Sequence, residues 1–429
     1  MKQKKNIAIV LVSVVLVTFV LVTIIMQLFM KINVMNQISE GFEQDAPKAL
    51  VDTSKWDTEK VTVYTDKSGS KAPIPKGYVA SQVTGETEIK TGLVIYEGDN
   101  PVTGTAIGTP GTDAWVASCS RNQWVWVPVS NTSRIYDDYT KTAKLYNRTS
   151  SGRSDYANTN FEPGFLTSTS YDNEALFSQY NLIGMTRKKL YDEIQVELSE
   201  TIKSIKKYGG FYIGRFETGD VTYTGDTRFV RPVVQRMRTI NSINYVTWYD
   251  AYRNLRTLGA NSTVKSNIIP GCLWDETLQW FQESGAKTAA EINDSGRWGN
   301  HYNSTFTYYS NVGGTIATKG ANSSTYVPTG SSEQNKANNV YDMAGNVWEW
   351  TLEGDGGSYR RFRGGSCYSS YDTSSRYPVG YRGSYSPTKS FIYLRCARVL
   401  LHKIEILRSK SLFYKHLEKR IFEQMRLIN

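Results

Sequence analysis

A chain of 429 residues that is 40% hydrophobic and 21% charged can bury a substantial core. Its formal charge of +10 sits mostly at the ends: Lys2, Lys4 and Lys5 open the chain, and residues 399–429 hold seven Lys/Arg against three Glu. The middle is near balance, so the isoelectric point of 9.1 is no sign of nucleic-acid binding, and no such partner is expected. In chain order, the first element is residues 7–30, which carry no charge. At about 1.5 Å per residue, such a helix crosses a hydrocarbon core roughly 30 Å thick with some tilt. A cleavable signal has an apolar region of only ~7–15 residues and a small-residue cleavage site, so an uncleaved transmembrane anchor is expected over 1–31. The lysines before it bias the N-terminus to the cytoplasm, while Glu40, Glu43 and Asp45 follow it. The chain is therefore expected to be single-pass in the cell membrane, with its folded part extracytoplasmic.

Residues 32–72, of mixed charge and little periodicity, are expected to form a stalk, and a folded domain is expected over 73–401. Residues 74–79 and 92–96 predict a turn and short strands, and 124–129 a strand ended by Pro128. Residues 131–178 are polar and lack a period, which predicts an elaborated surface loop; with the following helix this insertion spans 131–207. Leu190, Ile194, Leu198, Ile202 and Ile205 recur at spacings of three and four, an amphipathic helix closed by Gly209-Gly210. Residues 211–217 alternate like a strand, while 248–258 and 275–282 predict short helices. Beyond about Asn293 the chain is Gly, Asn, Ser, Tyr and Trp with no long period, so the fold class is α+β with much irregular structure. The tail 402–429 places Phe413, Leu417, Ile421 and Met425 four apart among basic residues, a basic amphipathic helix that packs on the domain or lies on the membrane.

Several chemistries are excluded. There is no Gly-Lys-Ser/Thr phosphate loop and no Cys-x-x-Cys. The three histidines are His301, His402 and His416, two of them in the tail, so no three-histidine metal centre can form inside the domain. Cys119, Cys272, Cys367 and Cys396 allow three complete pairings, among which the sequence does not choose, and buried thiols remain the alternative.

The informative stretch is residues 339–350, Asn-Val-Tyr-Asp-Met-Ala-Gly-Asn-Val-Trp-Glu-Trp, followed by Arg-Gly-Gly-Ser at 363–366. It closely resembles the formylglycine-generating enzyme (sulfatase-modifying factor) family, which implies a C-type-lectin-like fold. Weaker matches lie in order at 209–217, 246–251, 270–275 and 394–397. The family usually ends in Gly-Phe-Arg, and Tyr393-Leu394-Arg395 stands here, so an altered last strand is expected. Asp342 and Glu349 are hard oxygen ligands around a glycine turn, a donor type that suits Ca²⁺. The resemblance implies a calcium site of Asp342 and Glu349 by side chain and Gly345 and Val347 by backbone; the alternative is that the two carboxylates cap turns while Trp348 and Trp350 fill the core.

The resemblance also shows what is missing. Family oxidases hold copper with Cys-x4-Cys shortly after Arg-Gly-Gly-Ser, and Ser369 and Ser374 occupy those positions here. Soft thiolate selects Cu(I) and a serine hydroxyl does not, so no copper and no catalytic residue are expected. Residues 366–385 instead hold five Tyr and six Ser, with neither Lys nor Glu. Tyrosine for contact and Ser/Gly for adaptability is the make-up of combining loops. The segment, within a candidate variable region at 359–398, also resembles the variable part of lectin-fold proteins diversified by retroelements; the plainer alternative is an aromatic-rich surface loop of an inactive relative. The expected function is a non-catalytic display protein that binds a protein or glycan outside the cell through Tyr368, Tyr371, Arg376, Tyr377, Tyr381, Arg382 and Tyr385. A formylglycine-generating-type oxidase and a structural envelope or secretion component are the rival readings.

Overall fold

The computed structural model describes residues 52–103, 121–132, 187–220, 232–233, 246–259, 261–310, 314–354, 359–388, 394–396 and 398–402, within a compact unit that begins at Asp52. The expected anchor at 7–30, nearly all of the 131–178 loop, Cys119 and the tail from 403 lie outside them. Among the described residues no helix is long and apolar enough to cross a membrane.

Folded structure starts earlier than expected, which shortens the stalk assigned to 32–72. Strand β1 (Val61–Thr65) pairs antiparallel with β2 (Lys71–Pro75). Asp66 closes the hairpin, its Oδ1 accepting from the backbone N–H of Ser68 and Ser70, both at 2.9 Å. The Trp56 indole N–H reaches the Lys207 carbonyl at 3.0 Å, fastening this start to the body. A short polar hairpin has too few residues per strand for its alternation to stand out from a linker.

The main sheet is six-stranded: β3 (Tyr78–Ala80), β4 (Val94–Glu97), β5 (Gln123–Pro128), β6 (Gly210–Gly214), then β18 (Arg398–His402), then β9 (Val264–Ile268), all antiparallel. Positions 123–127 and all of β6 are buried, so these strands are covered on both faces and read as apolar runs. Helix α1 (Arg187–Tyr208) packs on β6 with Leu190, Ile194, Leu198, Ile202 and Ile205 all buried, the stripe its spacing predicts. Glu197 ties α1 to helix α2 (Trp248–Leu255) and to β9: it accepts from Tyr252 (3.0 Å) and Asn267 (2.6 Å) and pairs with Arg256 just past α2 (2.6 Å). Helix α3 (Gly271–Glu283) begins four residues before the expected start because Pro270 stands at its N-cap, and α4 (Ala289–Asn293) opens with a Thr288–Glu291 capping box.

The stretch without period resolves into short hairpins: β7 (Gly219–Asp220) with β8 (Pro232–Val233), β10 (Phe306–Tyr309) with β11 (Ile316–Lys319), and β12 (Lys336–Ala337) with β13 (Val340–Tyr341). A second sheet of order β16-β15-β14-β17 follows, built from β14 (Trp348–Gly354), β15 (Arg360–Arg363), β16 (Gly383–Tyr385) and β17 (Leu394–Cys396). The Trp-Glu-Trp motif opens β14, which is buried at every position. Indole bonds tie it to α2: Trp350 Nε1 donates to Val246 O just before α2, and Trp248 Nε1 of α2 donates to Thr351 O of β14, each at 2.9 Å. The altered Leu394-Arg395 ending still forms a strand, parallel to β14.

Candidate binding loop and metal-ligand turn

Residues 364–382 connect β15 to β16 and contain both serines that stand at the oxidase thiolate positions. The loop is pinned from inside. Asp372, buried, accepts through Oδ2 from Ser366 Oγ (3.0 Å), Ser369 N (3.0 Å) and Ser369 Oγ (3.1 Å), and its carbonyl takes the Tyr302 N–H at 3.0 Å. Burial holds its carboxyl above the usual carboxylate range although these hydrogen bonds oppose the shift. Ser374, only 2% exposed, donates from its N–H to Asn303 Oδ1 at 2.9 Å, and Asn303 Nδ2 donates back to Ser374 Oγ at 3.2 Å.

The far end of the loop is tied by a buried charge knot. The Arg363 guanidinium donates to Asp275 Oδ1 of α3 (3.2 Å), Glu353 Oε2 of β14 (3.0 Å) and the Gly380 carbonyl (3.0 Å). Arg382 pairs with the other oxygen of Glu353. The Trp274 indole adds a bond to Val379 O at 3.1 Å. At the near end, Gly365 has φ +83°, and a Cβ there would run into the Tyr377 carbonyl and lie 2.7 Å from His301 Cε1. His301 is fully buried beneath it, its Nε2 2.7 Å from Ser295 Oγ; burial pulls its pKa down to about 3, and the nearby Lys319 ammonium adds to that. Cys367 is a buried thiol whose Sγ donates to Thr325 O at 3.3 Å.

The seven expected contact residues divide. Tyr368 (44%), Tyr371 (66%) and Tyr385 (36%) are exposed, as is Arg376, whose guanidinium lies 5.4 Å from the Tyr371 ring centre and 5.5 Å from that of Tyr377. Tyr377 and Tyr381 are half-buried: their tilted rings pack on each other at 4.6 Å and on Trp348 at 5.4 and 5.8 Å, so much of each ring belongs to the frame. Arg382 is a correction, for at 2% exposure and paired to Glu353 it holds the loop and meets no ligand. Asp275, Asn303, Glu353, Arg363 and Asp372 were missed as site residues, because their partners lie up to 88 residues away in sequence.

Asp342, Gly345, Val347 and Glu349 lie on one buried turn running into β14. Positive φ at Asp342 (55°), Gly345 (74°) and Asn346 (58°) curls it tightly. Asp342 Oδ2 accepts from Gly330 N at 2.5 Å, and Gly345 N–H donates to the Gly364 carbonyl at 2.7 Å, joining this turn to the root of the loop. Among the described residues no three His, Cys, Asp or Glu side chains come together as a metal cluster, so a cation here would draw on backbone carbonyls as well. Asp342 and Glu349 are two buried carboxylates beside the backbone of Gly345 and Val347, the oxygen-donor type that suits Ca²⁺.

Comparison with known proteins agrees with the motif. Residues 236–400 match the family model of the sulfatase-modifying factor enzyme 1-like domain. Among solved structures, Treponema denticola variable protein 1 is 17% identical, with 46% of this chain and 85% of that one covered at a TM-score of 0.27. The crystal structure of CarF is 15% identical, with 62% and 97% covered at a TM-score of 0.27. No curated protein matches. Residues 236–400, which hold the Gly-Asn-Val-Trp-Glu-Trp block, are thus similar to the sulfatase-modifying factor enzyme 1-like domain.

Proposed function

We propose that the chain is a non-catalytic binding protein, anchored in the cell membrane through residues 7–30, that displays segment 366–385 outside the cell to a protein or glycan ligand. The observation that carries the reading is the state of the two thiolate positions. Ser369 Oγ is engaged with Asp372, and Ser374 Oγ, buried, takes a hydrogen bond from Asn303. Hard hydroxyl oxygens committed to the loop's own frame do not make a Cu(I) site. The same bonds freeze the backbone and leave Tyr368, Tyr371 and Tyr385 outward, a rigid frame with aromatic anchors. In this reading Asp342 and Glu349, with the carbonyls of Gly345 and Val347, hold a structural Ca²⁺ beneath the loop's root.

Oxygen uptake separates this from an oxidase. The full-length protein, with a cysteine-containing sulfatase peptide and with or without added copper, is expected to consume no oxygen above a protein-free blank. Tyr368→Ala with Tyr371→Ala should leave the melting curve within ~0.5 kcal/mol of wild type, since both side chains are exposed. Turnover of the peptide would return the protein to the enzyme class.

A further inference from the structure

We infer that the exposed face of segment 366–385 is built to take a carboxylate, and that its partner is a protein presenting an acidic segment. The inference rests on the display reading and narrows it. Within 366–385 the charged residues are Asp372, Arg376 and Arg382. Asp372 is turned inward onto Ser366 and Ser369, and Arg382 is paired with Glu353 in the interior. Arg376 is the one charge the segment exposes.

Its surroundings pre-position it. Tyr371 and Tyr377 flank the guanidinium at 5.4 and 5.5 Å, and cation–π attraction to two rings limits the rotamers it can visit. Among the described residues its N–H groups donate to no protein acceptor. Asp372 is near enough to feel its charge, yet the Oδ2 of that carboxylate already takes three hydrogen bonds from Ser366 and Ser369. A planar fork of donors, already held in place, matches the two oxygens of a carboxylate, and less rotamer freedom is lost per bond formed than with lysine. A neutral sugar presents hydroxyls that want donors and acceptors in alternation, whereas this fork only donates. The exposed Tyr371 ring beside it adds apolar area that a small free anion would leave unused and that the neighbours of an acidic side chain on a protein would cover.

Full-length wild type, Arg376→Gln and Arg376→Lys proteins in lipid nanodiscs would each be panned against phage-displayed random linear peptides. Wild type should enrich Asp- and Glu-containing peptides, and Arg376→Gln should not. A synthetic acidic peptide from the wild-type pool should bind about tenfold more weakly to Arg376→Gln, the scale of a lost hydrogen bond to a charged group. The same loss should follow Asp→Asn or Glu→Gln in the peptide, and Arg376→Lys should recover only part of it. Melting curves equal to wild type establish that the variants fold. Selected peptides without acidic bias, acidic peptides that bind Arg376→Gln equally well, or binding confined to a parallel arm of sialylated glycans would each overturn the inference. If Tyr368→Ala with Tyr371→Ala removes peptide binding while Arg376→Gln does not, only the carboxylate assignment fails. If neither change matters, the display reading fails with it.

Discussion

His301 makes the base of the loop acid-sensitive, and its contribution can be worked out. The imidazole is fully buried under Gly365, bonded to Ser295 through Nε2, and resists protonation until about pH 3, against 6.5 for an exposed histidine. Between those values the unfolded chain binds a proton that the folded chain refuses, so stability is complete above pH 6.5 and falls as pH drops toward 3. The slope approaches 1.4 kcal/mol per pH unit, which places the loss at roughly 2 kcal/mol by pH 5. His301→Gln keeps a polar atom for Ser295 and removes the titration. Urea unfolding of wild type and variant at neutral pH and at pH 5 gives the test. The variant starts less stable, but its difference between the two pH values should be smaller than that of wild type by about 2 kcal/mol. His402, His416 and every carboxylate are common to both proteins and cancel in that double difference. Equal pH dependence in the two would refute the reasoning.

Glu353→Gln removes the carboxylate paired with Arg382 and shared with Arg363, both buried, and should destabilise by about 3–5 kcal/mol in chemical denaturation. Gly365→Ala meets the Tyr377 carbonyl and should be clearly worse than Gly69→Ala, which has a similar φ of +84° and nothing within 4 Å; melting temperatures of the two variants decide it. If Asp342 and Glu349 hold Ca²⁺, chelation lowers the melting temperature of wild type, and Asp342→Ala abolishes the difference, because a ligand that binds only the native state stabilises it by mass action. The mature protein should fractionate with membranes and keep its N-terminus; a mature start after Lys31 would sink the anchor.

Legibility tracked the physical range of each interaction. The α1 stripe, β5 and β6 could be located from local pattern, because burial of one face or both leaves a period or an apolar run. Strand β1 and the first residues of β2 fall in the expected stalk, since five residues per strand are too few for their pattern to stand out from a linker. In the loop, composition marked 366–385 as a surface of tyrosines but could not sort them. Tyr371 and Tyr381 are the same residue in the same segment, and it is packing against Trp348 that makes Tyr381 part of the frame while Tyr371 stays exposed.

The sequence by itself determined the family resemblance of the Gly-Asn-Val-Trp-Glu-Trp block, the serines rather than cysteines at Ser369 and Ser374, and the paired carboxylates of the Asp342–Glu349 turn, because these follow from residue identity at short spacing. Tertiary structure alone decided that β18 inserts between β6 and β9 and that Asp275, Glu353, Arg363 and Arg382 form one buried knot. It also decided which side chains of the loop face outward. Those outcomes depend on contacts between residues remote in the chain, and no local period records which remote partner will neutralise a buried charge or cover an aromatic ring.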